Sequence, residues 1–249
     1  MASMRSDRID LPVGLRERRV LAWMRSEAGD ALAGRAVWCV AALSDGHSAG
    51  RRLCELLSRD LEVVPLSVEP AEPPAELARE LEAMLAGIPS ARPLGAAERA
   101  AYAHGTGLAD QTIGGRVAPG DVVVLHDSFT VSFAAALRER GAHVIWHLRR
   151  RSRAPCVRAA IDFIERGGGA AVDAVVIDER RGVDGEERIA AFIPAAHLLD
   201  VREASPGGDA APAERLALAW TSLLGDIVEE DRLDHVGGTI RARPVVAPR

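Results

Sequence analysis

Residues Gly120 to Arg149 read GDVVVLHDSFTVSFAAALRERGAHVIWHLR. Val122 to Leu125 is a short unbroken apolar run rich in β-branched residues, the pattern of a strand covered on both faces. It stops at His126 and Asp127. A helical segment from near Thr130 follows, running through Leu137 with Gly141 at its C-cap, and His143 to Trp146 begins a second apolar run. The stretch therefore predicts a β-turn-α-β unit. Such crossovers are right-handed and make parallel strands, and an open parallel sheet takes its ligands in the crevice beyond the strands' carboxyl ends. Both polar clusters, His126-Asp127-Ser128 and His147 to Arg149, fall at such ends.

Upstream, Leu15 to Leu32 carries a helical stripe of Leu15, Val20, Leu21, Trp23 and Met24, with Gly34 as its stop. Ala36 to Leu43 is the first strand, and Ser44 to Gly50 reads as a loop of small and polar residues leading into a helix from Arg51. Leu61 to Val68 gives a strand whose Pro65 demands an edge or a bulge, because proline cannot donate to the ladder. Ala75 to Leu85 is a helix ended by Gly87, and Ala96 to Gly115 a helix interrupted by Gly105 and Gly107. Downstream, Pro155 to Arg166 is a helix with Val157, Ile161 and Ile164 on one face, ended by Gly167. Ala174 to Ile177 and Ile189 to Ile193 read as strands, Pro194 to Asp200 as a loop, and Glu214 to Val228 as an amphipathic helix. Alternating strands and helices predict an α/β fold, a doubly wound Rossmann-like parallel sheet over residues 35–204. An arm and helix occupy 1–34, a linker 205–213, and the C-terminal helix with a mobile tail 214–249.

At 249 residues, 48% of them apolar, the chain can bury a sizeable core. Its net charge of −5, spread as alternating signs, leaves no broad basic footprint for nucleic acid. The basic residues are all arginine, and they cluster only at Arg149-Arg150-Arg151-Ser152-Arg153. Cys39, Cys54 and Cys156 have no CxxC spacing and read as small hydrophobes or free thiols. The N-terminus is polar and the apolar runs are too short to span a bilayer, so the expectation is a reduced cytoplasmic protein without a membrane partner.

A strand, a small-residue loop and a helix N-terminus bring backbone N–H groups close to a phosphate or a sugar hydroxyl. That makes Ser44, Asp45, Gly46 and His47 candidates, although an ordinary βα turn has the same composition. His126 and Asp127 can orient a sugar hydroxyl, or Asp127 or Ser128 can cap the following helix. Arg149 offers a bidentate phosphate contact or a solvated basic loop. Trp146, at a strand end, is the aromatic placed to act as a sugar platform, while Trp23, Trp38 and Trp220 read as core or interface anchors. His104, His143, His197 and His235 show no metal spacing and are expected at the surface or in support of the site. Nothing in the sequence requires a metal or a cofactor. There is also no G-x-S-x-G elbow and no Walker motif.

Val37-Trp38, the Ser44 to Gly50 loop, Met84 to Gly87, Val124 to Ser128, Ala136 to Gly141, Trp146 to Arg149 and Ile193 to His197 occur in an order that resembles the N-terminal half of the trehalose glycosyltransferring synthases. These are retaining GT-B glycosyltransferases. The resemblance implies the acceptor half of such an enzyme, binding a sugar, sugar phosphate or nucleotide sugar and needing a separate donor domain or a second copy for hexosyl transfer. It departs from the family at Asp45, His47 and Ser48 in the glycine loop, and at Arg149, where the family has a histidine. The alternative is a catalytically silent binding or scaffold module derived from the same fold.

Overall fold

The computed structural model describes residues 26, 28–42, 44–58, 61–70, 74–113, 115–148, 154–167, 169–178, 196–199, 217 and 220–229. In chain order these form β1 (Val37–Ala41), α1 (Ser44–Leu57), β2 (Val63–Ser67), α2 (Pro74–Leu85), α3 (Ala96–Thr112) and β3 (Val122–Leu125). A 3₁₀ turn (Thr130–Phe133) leads into α4 (Ala134–Glu139), followed by β4 (His143–Leu148), α5 (Pro155–Arg166), a second 3₁₀ turn (Gly169–Ala171), β5 (Ala174–Asp178) and β6 (Ala196–Leu199). Residues 220–229 are helical.

Among the described residues the strands make one sheet of six in the order β2-β1-β3-β4-β5-β6, every neighbouring pair parallel. The fold is α/β and Rossmann-like. From β1 the chain steps outward to β2 and then returns to lay β3 on the other side of β1, so the strand order reverses between β1 and β3. That is the switch point at which doubly wound sheets open a crevice.

Side chains alternate across the strands and feed two cores. Trp38, Val40, Val123, Leu125, Val144, Trp146 and Leu148 pack with Leu77 and Leu81 of α2, Tyr102 of α3, Leu137 of α4 and Ile161 and Ile164 of α5. Val37, Cys39, Val122, Val124 and Ile145 face the opposite way, toward Leu53, Cys54 and Leu57 of α1, toward Leu32 ahead of β1, and toward Trp220, Leu223, Leu224, Ile227 and Val228. The 220–229 helix therefore belongs to the same core as the sheet. It crosses the first described helical turn closely enough that a Cβ on Gly225 would lie 3.0 Å from Ala28 Cα.

Pro65 sits in β2, the edge strand, as its missing N–H requires. Gly34, Gly87 and Gly141 all take positive φ at the chain reversals the sequence assigned to them. Two expectations are corrected. Ser44 to Gly50 is the first part of α1 rather than a loop, and α3 runs through Gly105 and Gly107 without a break. A third correction concerns residues 196–199, read as loop, which pair with β5 as β6. The expected strand at 189–193, the linker and the two ends of the chain lie outside the described residues.

Two carboxylates, one buried and one half-buried, tie the amino end of the sheet. Asp121 accepts the N–H of Ala36 at 3.1 Å, the N–H of Ala118 at 2.9 Å and the Trp38 indole N–H at 2.9 Å. Asp173 accepts the N–H of Val144 and pairs with Arg138 at 2.7 Å. Among the described residues no helix is long and apolar enough to cross a membrane.

Candidate functional site at the β1–β3 switch point

At the carboxyl end of β3 the backbone still pairs, His126 N–H donating to Val40 at 3.0 Å. The chain then turns sharply, and Asp127 controls the turn. One carboxylate oxygen accepts the N–H of Ala42, just past β1, at 2.6 Å. The other accepts the N–H of Thr130 at 2.9 Å, while the Thr130 hydroxyl donates back to the Asp127 carbonyl at 2.9 Å. A side-chain oxygen satisfying an orphan N–H at the start of a helical turn is a cap. This one also spans two strands.

Ser128 is gripped from the face of α2 and α3. Its N–H donates to Glu82 Oε1 at 2.7 Å, its hydroxyl to the Ala78 carbonyl at 3.2 Å, and its carbonyl accepts the Tyr102 hydroxyl at 2.5 Å. Burial pushes the Tyr102 phenol well above its usual range, with the negative charges of Asp127 and Glu82 acting in the same direction. Tyr102 is thus held as a neutral donor.

His126 turns to the other face. Its ring lies against α1 at Gly50, where a Cβ would come within 3.1 Å of His126 Cδ2. Its Nδ1 lies 3.1 Å from Nδ1 of His147 on the next strand. The His147 ring in turn meets the edge of Trp220 at 5.1 Å between centroids. His126 and Asp127 are each 3% exposed and His147 is 7%. The switch point is therefore lined by an imidazole pair on one side and a capped turn on the other.

Of the residues singled out from sequence, His126 and Asp127 lie at this point. Ser44, Asp45, Gly46 and His47 belong to the start of α1, whose chain reaches His126 at Gly50; their side chains are outside the description, as is Arg149. Trp146 is corrected: at 1% exposure it is packed in the core with Trp38 and Leu125, so its ring offers no face to a sugar. His143, expected at the surface or in support, is buried at the start of β4. Sequence reasoning set His147 in a polar cluster at a strand end without choosing it as a site residue, and passed over Tyr102. The signal for His147 was strand parity: it shares a face with Ile145 and lies opposite to Trp146, so only one of the adjacent pair can look toward α1.

Among the described residues no three His, Cys, Asp or Glu side chains converge as a metal site. No family model, no curated protein and no solved structure matches the chain.

Proposed function

We propose that the chain is a glycosyltransferase-like domain that binds a sugar or sugar phosphate beyond the carboxyl ends of β1 and β3, and that transfers a hexosyl group only with a separate donor domain. The observation supporting this reading is convergence. Two residues far apart in the sequence, His126 after β3 and His147 on β4, meet on the α1 side of the sheet, with the imidazoles 3.1 Å apart. Parallel α/β sheets bind ligands in that crevice. We place the domain in a reducing cytoplasm, in keeping with three free cysteines.

Chemically, such a site holds the acceptor hydroxyl in line with a donor supplied from across the crevice, and the rate gain comes from positioning. The α1 N-terminus would supply N–H groups for an acceptor phosphate. The test is isothermal titration of the full chain with glucose, glucose 6-phosphate, trehalose and a panel of nucleotide sugars, repeated with His47→Ala and Arg149→Ala. Binding of one ligand, weakened about tenfold or more by either substitution, is the expected result. Absence of heat with every ligand on a folded chain overturns it.

A second reading, a silent binding module, is favoured by Asp127. Both of its oxygens hold backbone N–H groups of the fold itself. Under that reading none of these sugars binds.

A further inference from the structure

We propose that Cys39 and Cys54 are an oxidation site, at which hydrogen peroxide joins β1 to α1 through a reversible disulfide. This inference stands apart from the sugar-binding reading, since it needs no ligand in the crevice. Cys39 shares its side of β1 with Val37, as alternate strand positions must, and is 2% exposed. Leu53, Cys54 and Leu57 turn one face of α1 toward the sheet, and Cys54 is 9% exposed. Cys39 and Cys54 therefore meet across the β1–α1 interface, where their side chains are hydrogen-bonded. An S–S bond requires these two sulfurs, already in contact, to close to about 2.05 Å.

The two thiols differ in a way that divides the work between them. The hydrogen bond from Cys39 brings the Cys54 thiol below its ordinary range, against the opposing effects of burial and of the neighbouring Glu55. The same bond, then burial, then the charge on Cys54 push the Cys39 thiol well up. Thiolate character, which governs attack on a peroxide, thus resides on Cys54. Cys54 is also the less buried of the pair, and hydrogen peroxide is hardly larger than water. Cys156 stands apart, packed against the other core on α5 with its thiol donating to the Met84 carbonyl at 3.6 Å.

Cys54, having given up its proton, attacks one oxygen of the peroxide. An S–O bond forms, the O–O bond breaks, and the departing hydroxide takes up that proton and leaves as water. Cys54 is then a neutral sulfenic acid. Two of the three influences that raise Cys39, the hydrogen bond to the Cys54 thiolate and its charge, end at this point. The Cys39 sulfur attacks the Cys54 sulfur, an S–S bond forms, and the S–O bond breaks, hydroxide leaving with the Cys39 proton as a second water. Two electrons pass from the pair of sulfurs to one peroxide. A dithiol reductant reverses the change by thiol–disulfide exchange. The new bond lies one helical turn past Gly50, the residue against His126, so it fixes the part of α1 that borders the switch point.

The experiment treats the folded full chain with hydrogen peroxide, blocks the remaining thiols in urea and maps the peptides by mass spectrometry. Trypsin cuts after Arg51 and Arg52, so Cys39 and Cys54 fall in separate peptides. The expected result is loss of these two thiols together, as a joined Cys39–Cys54 peptide pair that dithiothreitol separates, in preference to any pair containing Cys156. In Cys54→Ala, Cys39 should stay reduced under the same treatment. No joined pair in the folded wild type, or oxidation of Cys39 in Cys54→Ala at the wild-type rate, overturns the proposal. Should that variant not fold, the wild type treated with and without urea decides. A pair that forms in the native chain supports the site, and one that arises in urea alone overturns it.

Discussion

Asp127 Oδ2 lies 2.6 Å from the backbone nitrogen of Ala42, so one carboxylate ends both β1 and β3. With Thr130 N–H on its other oxygen, Asp127 fastens the switch point. Removing it strands two buried donors, each costing about 1–3 kcal/mol. Asp127→Ala should lower stability by about 2–6 kcal/mol in urea unfolding. Asp127→Asn keeps an acceptor oxygen and should lose less. Equal losses for the two variants would show that the charge, and not the geometry, matters.

Tyr102 is the single tyrosine of the chain, which makes its titration directly visible. Its folded pKa is raised by burial first and by Asp127 and Glu82 next. The folded state therefore holds the phenolic proton where the unfolded state, with a pKa near 10, releases it. Stability contributed in this way is complete below about pH 10 and falls as pH rises above it. Phenolate absorbance should appear only together with alkaline unfolding. A phenolate signal at the ordinary pH in a chain that keeps its circular dichroism would refute the burial of this hydroxyl.

Gly29 and Gly50 both lie in helix, and an alanine there normally gains up to about 1 kcal/mol. At Gly29 a Cβ meets nothing within 4 Å, so Gly29→Ala should show that gain. At Gly50 the new methyl would press on His126, itself fixed by His147. Gly50→Ala should show no gain or a loss. Thermal melts of the two variants, compared side by side, check this.

The three thiols should react in order of access. Cys156 is partly exposed, whereas Cys39 and Cys54 are buried between β1 and α1. A hydrogen bond with Cys54, followed by burial, pushes the Cys39 thiol up, so it is the poorest nucleophile. A thiol reagent added to the native chain should label Cys156 first and Cys39 only on unfolding, as read by peptide mass mapping.

The parts of the fold legible in the sequence are those where a local pattern and the tertiary demand agree. Val122 to Leu125 is apolar throughout because both faces of a central strand are covered, and Pro65 marks an edge because its ring removes a ladder donor. Val157, Ile161 and Ile164 are all buried on α5, as their spacing requires. Ser44 to Gly50 misled because serine, aspartate and glycine are weak helix formers, whereas here the close approach of α1 to His126 favours a glycine at position 50. Residues 196–199 pair as a strand through partners on β5 that no local pattern discloses. The candidate site was half legible. The polar clusters after β3 and β4 were found, yet Trp146 was chosen over His147, and the ties of Asp127 to Ala42 and of Tyr102 to Ser128 link residues 85 and 26 positions apart.

The covering of one sheet face by Trp220 to Val228 also sets a timetable for synthesis. A ribosome that has delivered every described strand has still not delivered the side chains that dry Val37, Cys39 and Val124 on that face. Until they emerge, the described residues that cover this apolar face are Leu32 and those of α1, with Leu61 beside them. Closure of this face therefore waits for residues 220–228, and a chain interrupted before them should expose it to association.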